Sequence, residues 1–344
     1  MVKKPWSINE VKRILHIFYN IKSFDIEEII PLKSGASSEC FHIIAKNNEY
    51  ILKDIEMDFM NHPDIEPLIN NELSLIGIPV SNFYVTCDGF YVGEYNGHTF
   101  HLQSFIEGEI LQVNTAPNWF MKESAKILGE IHNGLSDLHS LDKGISKGFF
   151  MLVNPKSALE SYKKSLKITK ERNEVVAVDD LTYRIKLLNK LKNIDLDMEK
   201  FTYKNTHGDY FISQIICKGN RINGVIDFTS ACIHPACYEI IRSYSYADPK
   251  CINGNIDVKN LKEYVNEYLK VSNLNDYDIK MMPYLYYYQL GVSDYYKNYF
   301  NSNDKNKDTL FHYAHWSTEV CRWFENNIDD IFLSWGKLKI LNFR

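Results

Sequence analysis

Two carboxylates stand where they could serve one reaction. Asp209 follows a His-Gly pair in the stretch Thr206-His207-Gly208-Asp209-Tyr210-Phe211-Ile212-Ser213-Gln214. Asp227 ends an apolar run, Ile222 to Ile226, eighteen positions further on (209 to 227). The first reads as a loop residue and the second as the exposed tip of a buried strand. Phosphoryl transfer makes few covalent demands on a protein. It needs positioning, neutralisation of the phosphates by Mg²⁺, and a carboxylate near the attacking hydroxyl. A loop carboxylate, a strand-end carboxylate and the Gln214 amide between them supply those parts. A His-Gly-Asp turn or an Asp-terminated strand is common by itself. The signal is the two together, in this order, on these element types.

The pattern H-G-D-x-x-x-x-(N) followed by I-D-F resembles the signature of the aminoglycoside phosphotransferase/choline kinase superfamily. Its members include homoserine and methylthioribose kinases and share the protein-kinase fold. The resemblance implies that Asp209 orients or deprotonates an acceptor hydroxyl, that His207 braces the loop, and that Asp227 binds Mg²⁺. The family usually has asparagine five residues after the catalytic aspartate, as a second metal ligand; here Gln214 stands there. Glutamine offers the same amide oxygen on a longer stem. That implies a shifted coordination geometry, a weakened second metal site, or a degenerate kinase fold serving as a binding or structural protein. The H-R-D and D-F-G signatures of protein kinases are absent.

Other segments extend the resemblance over residues 29 to 245. Leu32 to Phe41 is similar to a nucleotide-covering loop, with Gly35, Ser37 and Ser38 letting backbone N–H groups approach phosphates. Lys53 closes the strand Tyr50-Ile51-Leu52-Lys53, at the spacing of a lysine that contacts the α- and β-phosphates. Its carboxylate partner should come from the helix Pro63 to Ile76, with Glu66 preferred by spacing and Glu72 as the alternative. Gln103-Ser104-Phe105-Ile106-Glu107-Gly108 resembles the hinge that meets the purine, with Gln103 and Phe105 as its contacts. His132, in Ile127-Leu128-Gly129-Glu130-Ile131-His132, is read as a core histidine, and Glu239 as a brace where the family has aspartate.

These residues need scaffolds, and the chain has two textures. Short alternating runs up to about residue 105, paired across Asn47-Asn48 and Asn96-Gly97, predict hairpins of an antiparallel sheet. Ser7 with Glu10 three residues on predicts a capped helix at the start. Helical patterns follow Gly108: Phe120–Leu135, Ala158–Ile168, Asp180–Asn193, Val258–Val271, Tyr277–Phe300 and Thr309–Asn326. A β-rich island, Thr202 to Phe228, interrupts them. The fold class is therefore α+β. The resemblance makes it a two-lobed protein-kinase-like fold: an N-terminal antiparallel sheet lobe (1–105, nucleotide-binding) and a larger, mainly helical C-terminal lobe (106–344, catalytic and substrate-binding).

Composition sets the limits. The chain has 344 residues, of which 45% are hydrophobic and 24% charged, with a formal net charge of -5. There is no basic surplus for nucleic acid. No run approaches a membrane span, and the N-terminal segment is too interrupted by polar residues for a secretory leader. Seven cysteines without a C-x-x-C pair suggest neither a zinc site nor a disulfide framework. The expectation is a cytoplasmic phosphotransferase that uses ATP or GTP with Mg²⁺ and a small hydroxyl-bearing substrate. The oligomeric state is not legible. The acceptor stays open among an aminoglycoside, an amino alcohol, an amino acid and a sugar. Tyr284, Tyr286, Tyr287, Tyr288, Tyr295 and Tyr296 could cage a cation or, at helical spacing, simply fill a core.

Overall fold

Ser7 starts the first helix, Ile8–Tyr19, through the reciprocal bonds of a capping box: its N–H donates to Glu10 Oε2 at 2.8 Å, and the Glu10 N–H donates to Ser7 Oγ. Asn20, at φ 53°, ends it. Val11, Ile14 and Leu15 form its apolar stripe. They pack with Trp6, Phe41, Ile43, Tyr50, Leu52, Phe100 and Leu102 in one core. A computed structural model of the chain describes residues 5–32, 39–55, 62–139, 141–302 and 307–335.

The sheet under that helix is antiparallel. Its strands run in the order Ile26–Leu32, Cys40–Ala45, Asn48–Ile55, His98–Ser104, Phe83–Tyr84, and Gly93–Tyr95 also pairs with His98–Ser104. Asn96 and Gly97, both at positive φ, make the two-residue turn that the sequence predicts. Because side chains alternate across a strand, Tyr50 and Leu52 point to the first helix and Lys53 to the opposite face. Phe100 and Leu102 likewise leave His101 and Gln103 on Lys53's side. Lys53 and His101 are directly opposite in register.

On that second face lies the helix Ile65–Leu75, which buries Glu66, Ile69, Asn70 and Leu73 at helical spacing. Gly77, at φ 82°, ends it; its N–H and that of Ile78 bond to the carbonyls of Ser74 and Leu73. A small antiparallel sheet joins Glu109–Ile110, Ile215–Lys218 and Arg221–Val225. Gly108 adopts φ 148°, and a Cβ there would stand 2.4 Å from the Cys217 carbonyl oxygen.

By their internal packing the residues fall into two units. One is Met1–Leu111 with Ser213–Ala231, and the other is Gln112–Ile212 with Cys232–Arg344. A single boundary at 105/106 assigns Ser213–Ala231 to the second. One of its strands pairs with Glu109–Ile110, and the Val225 N–H donates to the Pro79 carbonyl, both of the first unit.

The second unit is helical around a two-stranded ladder, Tyr203–Thr206 with Cys232–Pro235. Its long helices are Asn118–Gly134, Pro155–Glu171, Val175–Leu191, Ala236–Ala247, Val258–Leu269, Asp276–Val292 and Lys307–Trp335. The predicted helix over 277–300 is interrupted: it ends at Val292 and restarts as Tyr295–Asn301. Tyr286, Tyr287 and Tyr296 are buried core residues. Arg184, fully buried, holds this region through Thr318 Oγ1, Ser317 Oγ, Tyr162 OH and the Leu290 carbonyl, at 2.6 to 3.1 Å.

Candidate active site

In the first unit a lysine stands between two carboxylates. Lys53 Nζ lies 2.8 Å from Asp227 Oδ1 and 3.3 Å from Glu66 Oε2. Lys53 is 5% exposed and Glu66 1%, so the charges must satisfy one another or be neutralised. Burial disfavours both ions, yet their mutual attraction wins. The Lys53 ammonium is held above its ordinary range by Glu66 and Asp227, and the Glu66 carboxyl is pulled down to about 2 by Lys53 and by the bond from His101. Glu72, the alternative partner, is exposed. Glu66 also accepts the Phe228 N–H at 3.2 Å and faces His101 Nε2 at 3.2 Å. Burial keeps His101 below the usual histidine range despite Glu66. The His101 ring packs edge-on against Phe83, 4.8 Å away.

Asp227 follows the strand Arg221–Val225 by two residues and takes φ 66°, ψ 60°. This left-handed turn swings its side chain off the strand. Lys53 Nζ and Thr229 Oγ1 both bond to Oδ1; Oδ2 makes no hydrogen bond among the described residues, and the side chain is 37% exposed. A hard divalent cation takes oxygen ligands and often only one or two from protein, the rest from water and phosphates. An outward carboxylate oxygen fits that demand. Gln214 lies beside it, since its carbonyl accepts the Ile226 N–H at 3.0 Å. The hairpin therefore brings the two residues read as metal ligands together.

Gln103 is buried in the sheet, paired with Ile51 and Phe83. The Phe105 N–H is already bonded to the Glu49 carbonyl, and its ring stacks on His42 at 4.0 Å. Gly35, Ser37 and Ser38 lie outside the described residues.

In the second unit His207 is fully buried and accepts the Asp209 N–H on Nδ1 at 3.3 Å. Gly208 between them has φ 81°, which glycine adopts without strain. The Asp209 side chain is 34% exposed, and Arg242 Nη2 donates to its Oδ1 at 2.6 Å. Glu239, one turn before Arg242 on the helix Ala236–Ala247, accepts the Tyr210 N–H at 3.3 Å and pairs with His132 Nε2 at 2.9 Å. Burial would raise the Glu239 carboxyl, but the His132 bond and the nearby His234 hold it at about 2. His132 is buried and also bonded to the Tyr268 hydroxyl at 2.9 Å, as a core histidine should be.

Three contributors went unread in the sequence. His101 could have been found from register, being opposite Lys53. Thr229 is a side-chain partner two residues after an aspartate, a local pattern typical of turns. Arg242 gave no sequence signal, because its role depends on a helix whose other residues are all buried.

A model of the phosphotransferase enzyme family matches residues 28–258. The homoserine kinase of Methylobacillus flagellatus is 22% identical over 254 residues, covering 72% of this chain and 73% of that protein. Among solved structures, a spectinomycin phosphotransferase in complex with ADP and spectinomycin superposes with TM-score 0.59 at 16% identity, covering 97% of this chain and 100% of that one. A choline kinase from Cryptosporidium parvum gives TM-score 0.60 at 14% identity, covering 95% and 98%. The sheet-then-helices architecture is therefore that of small-molecule kinases. No helix among the described residues is long and apolar enough to cross a membrane.

Proposed function

Since the chain belongs to the phosphotransferase enzyme family, we propose that it transfers the γ-phosphoryl group of ATP or GTP to a hydroxyl of a small molecule in the cytoplasm. The observation that carries this reading is the buried Lys53–Glu66 pair with Asp227 on the same ammonium. Lys53 has no reason to be buried between two acids unless its position matters, since a hydrophobic residue would fill the space at lower desolvation cost. In this reading Lys53 contacts the α- and β-phosphates, and Glu66 fixes its ammonium. Backbone groups around Gly35, Ser37 and Ser38 cover the phosphates, and the segment from Gln103 to Phe105 frames the purine. Asp227, with Gln214, would hold Mg²⁺, which when bound neutralises charge on the β- and γ-phosphate oxygens.

Asp209 orients the acceptor. As the acceptor oxygen bonds to the γ-phosphorus, the bond from that phosphorus to the β-bridging oxygen breaks. The electron pair leaves with the nucleoside diphosphate, and the hydroxyl proton passes to the Asp209 carboxylate. His207 and Glu239 hold the loop that presents Asp209. The acceptor belongs to the aminoglycoside, amino alcohol, amino acid or sugar classes.

The test is nucleoside diphosphate release with Mg²⁺ and ATP or GTP across acceptors of those four classes, beside direct nucleotide binding. Asp227→Asn should abolish Mg²⁺-dependent nucleotide binding. Asp209→Asn should leave binding intact and lower acceptor-stimulated release by about 10²- to 10⁴-fold, the usual worth of proton handling by a positioned group. Undiminished release in the Asp209 variant would remove Asp209 from the reaction.

A further inference from the structure

In the second unit a guanidinium occupies the kind of aromatic surround that would otherwise receive a cationic ligand. Arg242 is the one residue of the helix Ala236–Ala247 that is not buried, and its side chain is 15% exposed. Its Cζ lies 5.0 Å from the Phe211 ring centroid and 5.2 Å from that of Tyr246. These two rings stand 5.4 Å apart at 60°. Tyr295, its hydroxyl 3.3 Å from that of Tyr246, and Tyr313, with ring centroid 5.8 Å from Tyr246's, continue the wall. Nη2 donates to Asp209, while Nη1 is buried and meets no acceptor among the described residues.

A guanidinium carries five donors in a fixed fork and stays charged at any working pH. Leaving one of its buried donors unpaired is costly. Here the unpaired nitrogen belongs to the same planar group that touches Asp209, so a ligand atom satisfying it lies close to whatever Asp209 binds. An ammonium placed there would be repelled by Arg242 and would find the rings already taken. A carboxylate would supply the acceptor that Nη1 lacks, beside the bond that Nη2 already makes to Asp209.

We propose that Arg242 determines acceptor specificity by binding the carboxylate of a small hydroxylated acid, a hydroxy acid, hydroxyamino acid or sugar acid, whose hydroxyl is presented to Asp209. The inference rests on the reading of Asp209 given above and narrows it: the acceptor is anionic at the end nearest its reacting hydroxyl, and polyamines and quaternary amino alcohols are not its substrates.

The experiment uses the full chain with Mg²⁺ and ATP or GTP. Acceptors are supplied as matched sets, each hydroxylated carboxylic acid beside its amide, its amine analogue and its phosphate analogue. Nucleotide binding is measured in parallel. Stimulated release by an acid, with its amide weaker by on the order of 10²-fold, is expected from the loss of a charge-assisted hydrogen bond. Arg242→Gln should raise the KM for that acid by a similar factor and erase the preference over the amide, with a smaller change in kcat. Arg242→Lys, which keeps the charge and loses the fork, should recover part of it. A general packing defect would instead lower release with acid and amide alike. Preference for an amine, a neutral sugar or a phosphate analogue, or no stimulation by any acid in protein that binds nucleotide, overturns the inference and leaves the nucleotide half of the kinase reading standing. Failure to bind nucleotide at all overturns both.

Discussion

Replacing Lys53 by methionine keeps most of the side-chain volume and removes the ammonium from a carboxylate that is 1% exposed. Glu66 then keeps only His101 and the Phe228 N–H. Its carboxyl, held at about 2 in the intact protein, corresponds to roughly 3 kcal/mol relative to its ordinary range. The raised Lys53 ammonium is the same interaction seen from the other end and is counted once. Breaking a buried pair by removing one partner costs about 3–5 kcal/mol, in the same range. The sign with pH follows. In the intact protein Glu66 has a depressed folded pKa, so its contribution is complete above its ordinary range and is lost only as pH falls towards 2. In Lys53→Met burial dominates and raises the Glu66 carboxyl. Its destabilisation is then full at high pH and shrinks as acid protonates it. The gap between the two proteins should therefore narrow from about pH 8 to about pH 5. Hydrogen exchange, read by mass spectrometry on peptides covering Asn48–Ile55 and His98–Ser104 without nucleotide, reports the loss in the unit concerned. Adding Glu66→Gln to the lysine variant should restore more than half of it. A loss below about 1 kcal/mol, flat with pH and not rescued by the second substitution, would refute the claim that this pair is a strongly coupled buried ion pair.

In the second unit, Glu239→Gln replaces the carboxylate that holds His132 and the Tyr210 N–H. A loss of about 2–3 kcal/mol is expected, the range for buried hydrogen bonds to a charged group, visible as a lowered Tm, with Glu239→Asp intermediate. Arg184→Met should fall less than Arg184→Lys, because methionine leaves four neutral acceptors short of donors while lysine also buries an ammonium they do not fit. The reverse order in thermal denaturation would show that charge, and not the fork geometry, holds that region.

The legible parts of this chain were those written in local chemistry. The Ser7–Glu10 capping box and the Asn96-Gly97 turn each act within a few residues, and the structure has them where the pattern puts them. Glu66 was preferred over Glu72 only through the family's spacing to Ile69, Leu73 and Gly77, and the helix buries it beside Ile69 and Leu73. The helix Ala236–Ala247 escaped notice. It is buried on every side but one, so it has no polar face and no 3.6-residue alternation to read. The break after Val292 is set by tertiary contacts: the Tyr162 hydroxyl lies 2.7 and 2.8 Å from the Gly291 and Ser293 carbonyls, and a Cβ on Gly291 would meet Leu191 at 2.5 Å. The tyrosine-rich stretch was ambiguous because a tyrosine in a core and one in a cage look alike in sequence. Tyr286 and Tyr296 went to the core, while Tyr295 lines the wall beside Arg242. Asp209 and Asp227 were conspicuous from their neighbours. Arg242 was not, since nothing near it in sequence announces a partner thirty-three positions away.

At Asp227 one residue performs two tasks that most sites divide. Its carboxylate faces Lys53 and Thr229, and its backbone, at φ 66°, makes the reversal that lifts it off the strand. Of the residues that enter that region readily, glycine has no side chain and asparagine has no charge. Glutamate keeps the charge but pays in backbone strain and reach. Sequence drift at this position therefore meets a cliff and no slope. In the proposed reading, descendants that abandon catalysis should be identifiable by a glycine or asparagine at this position on an otherwise undisturbed hairpin.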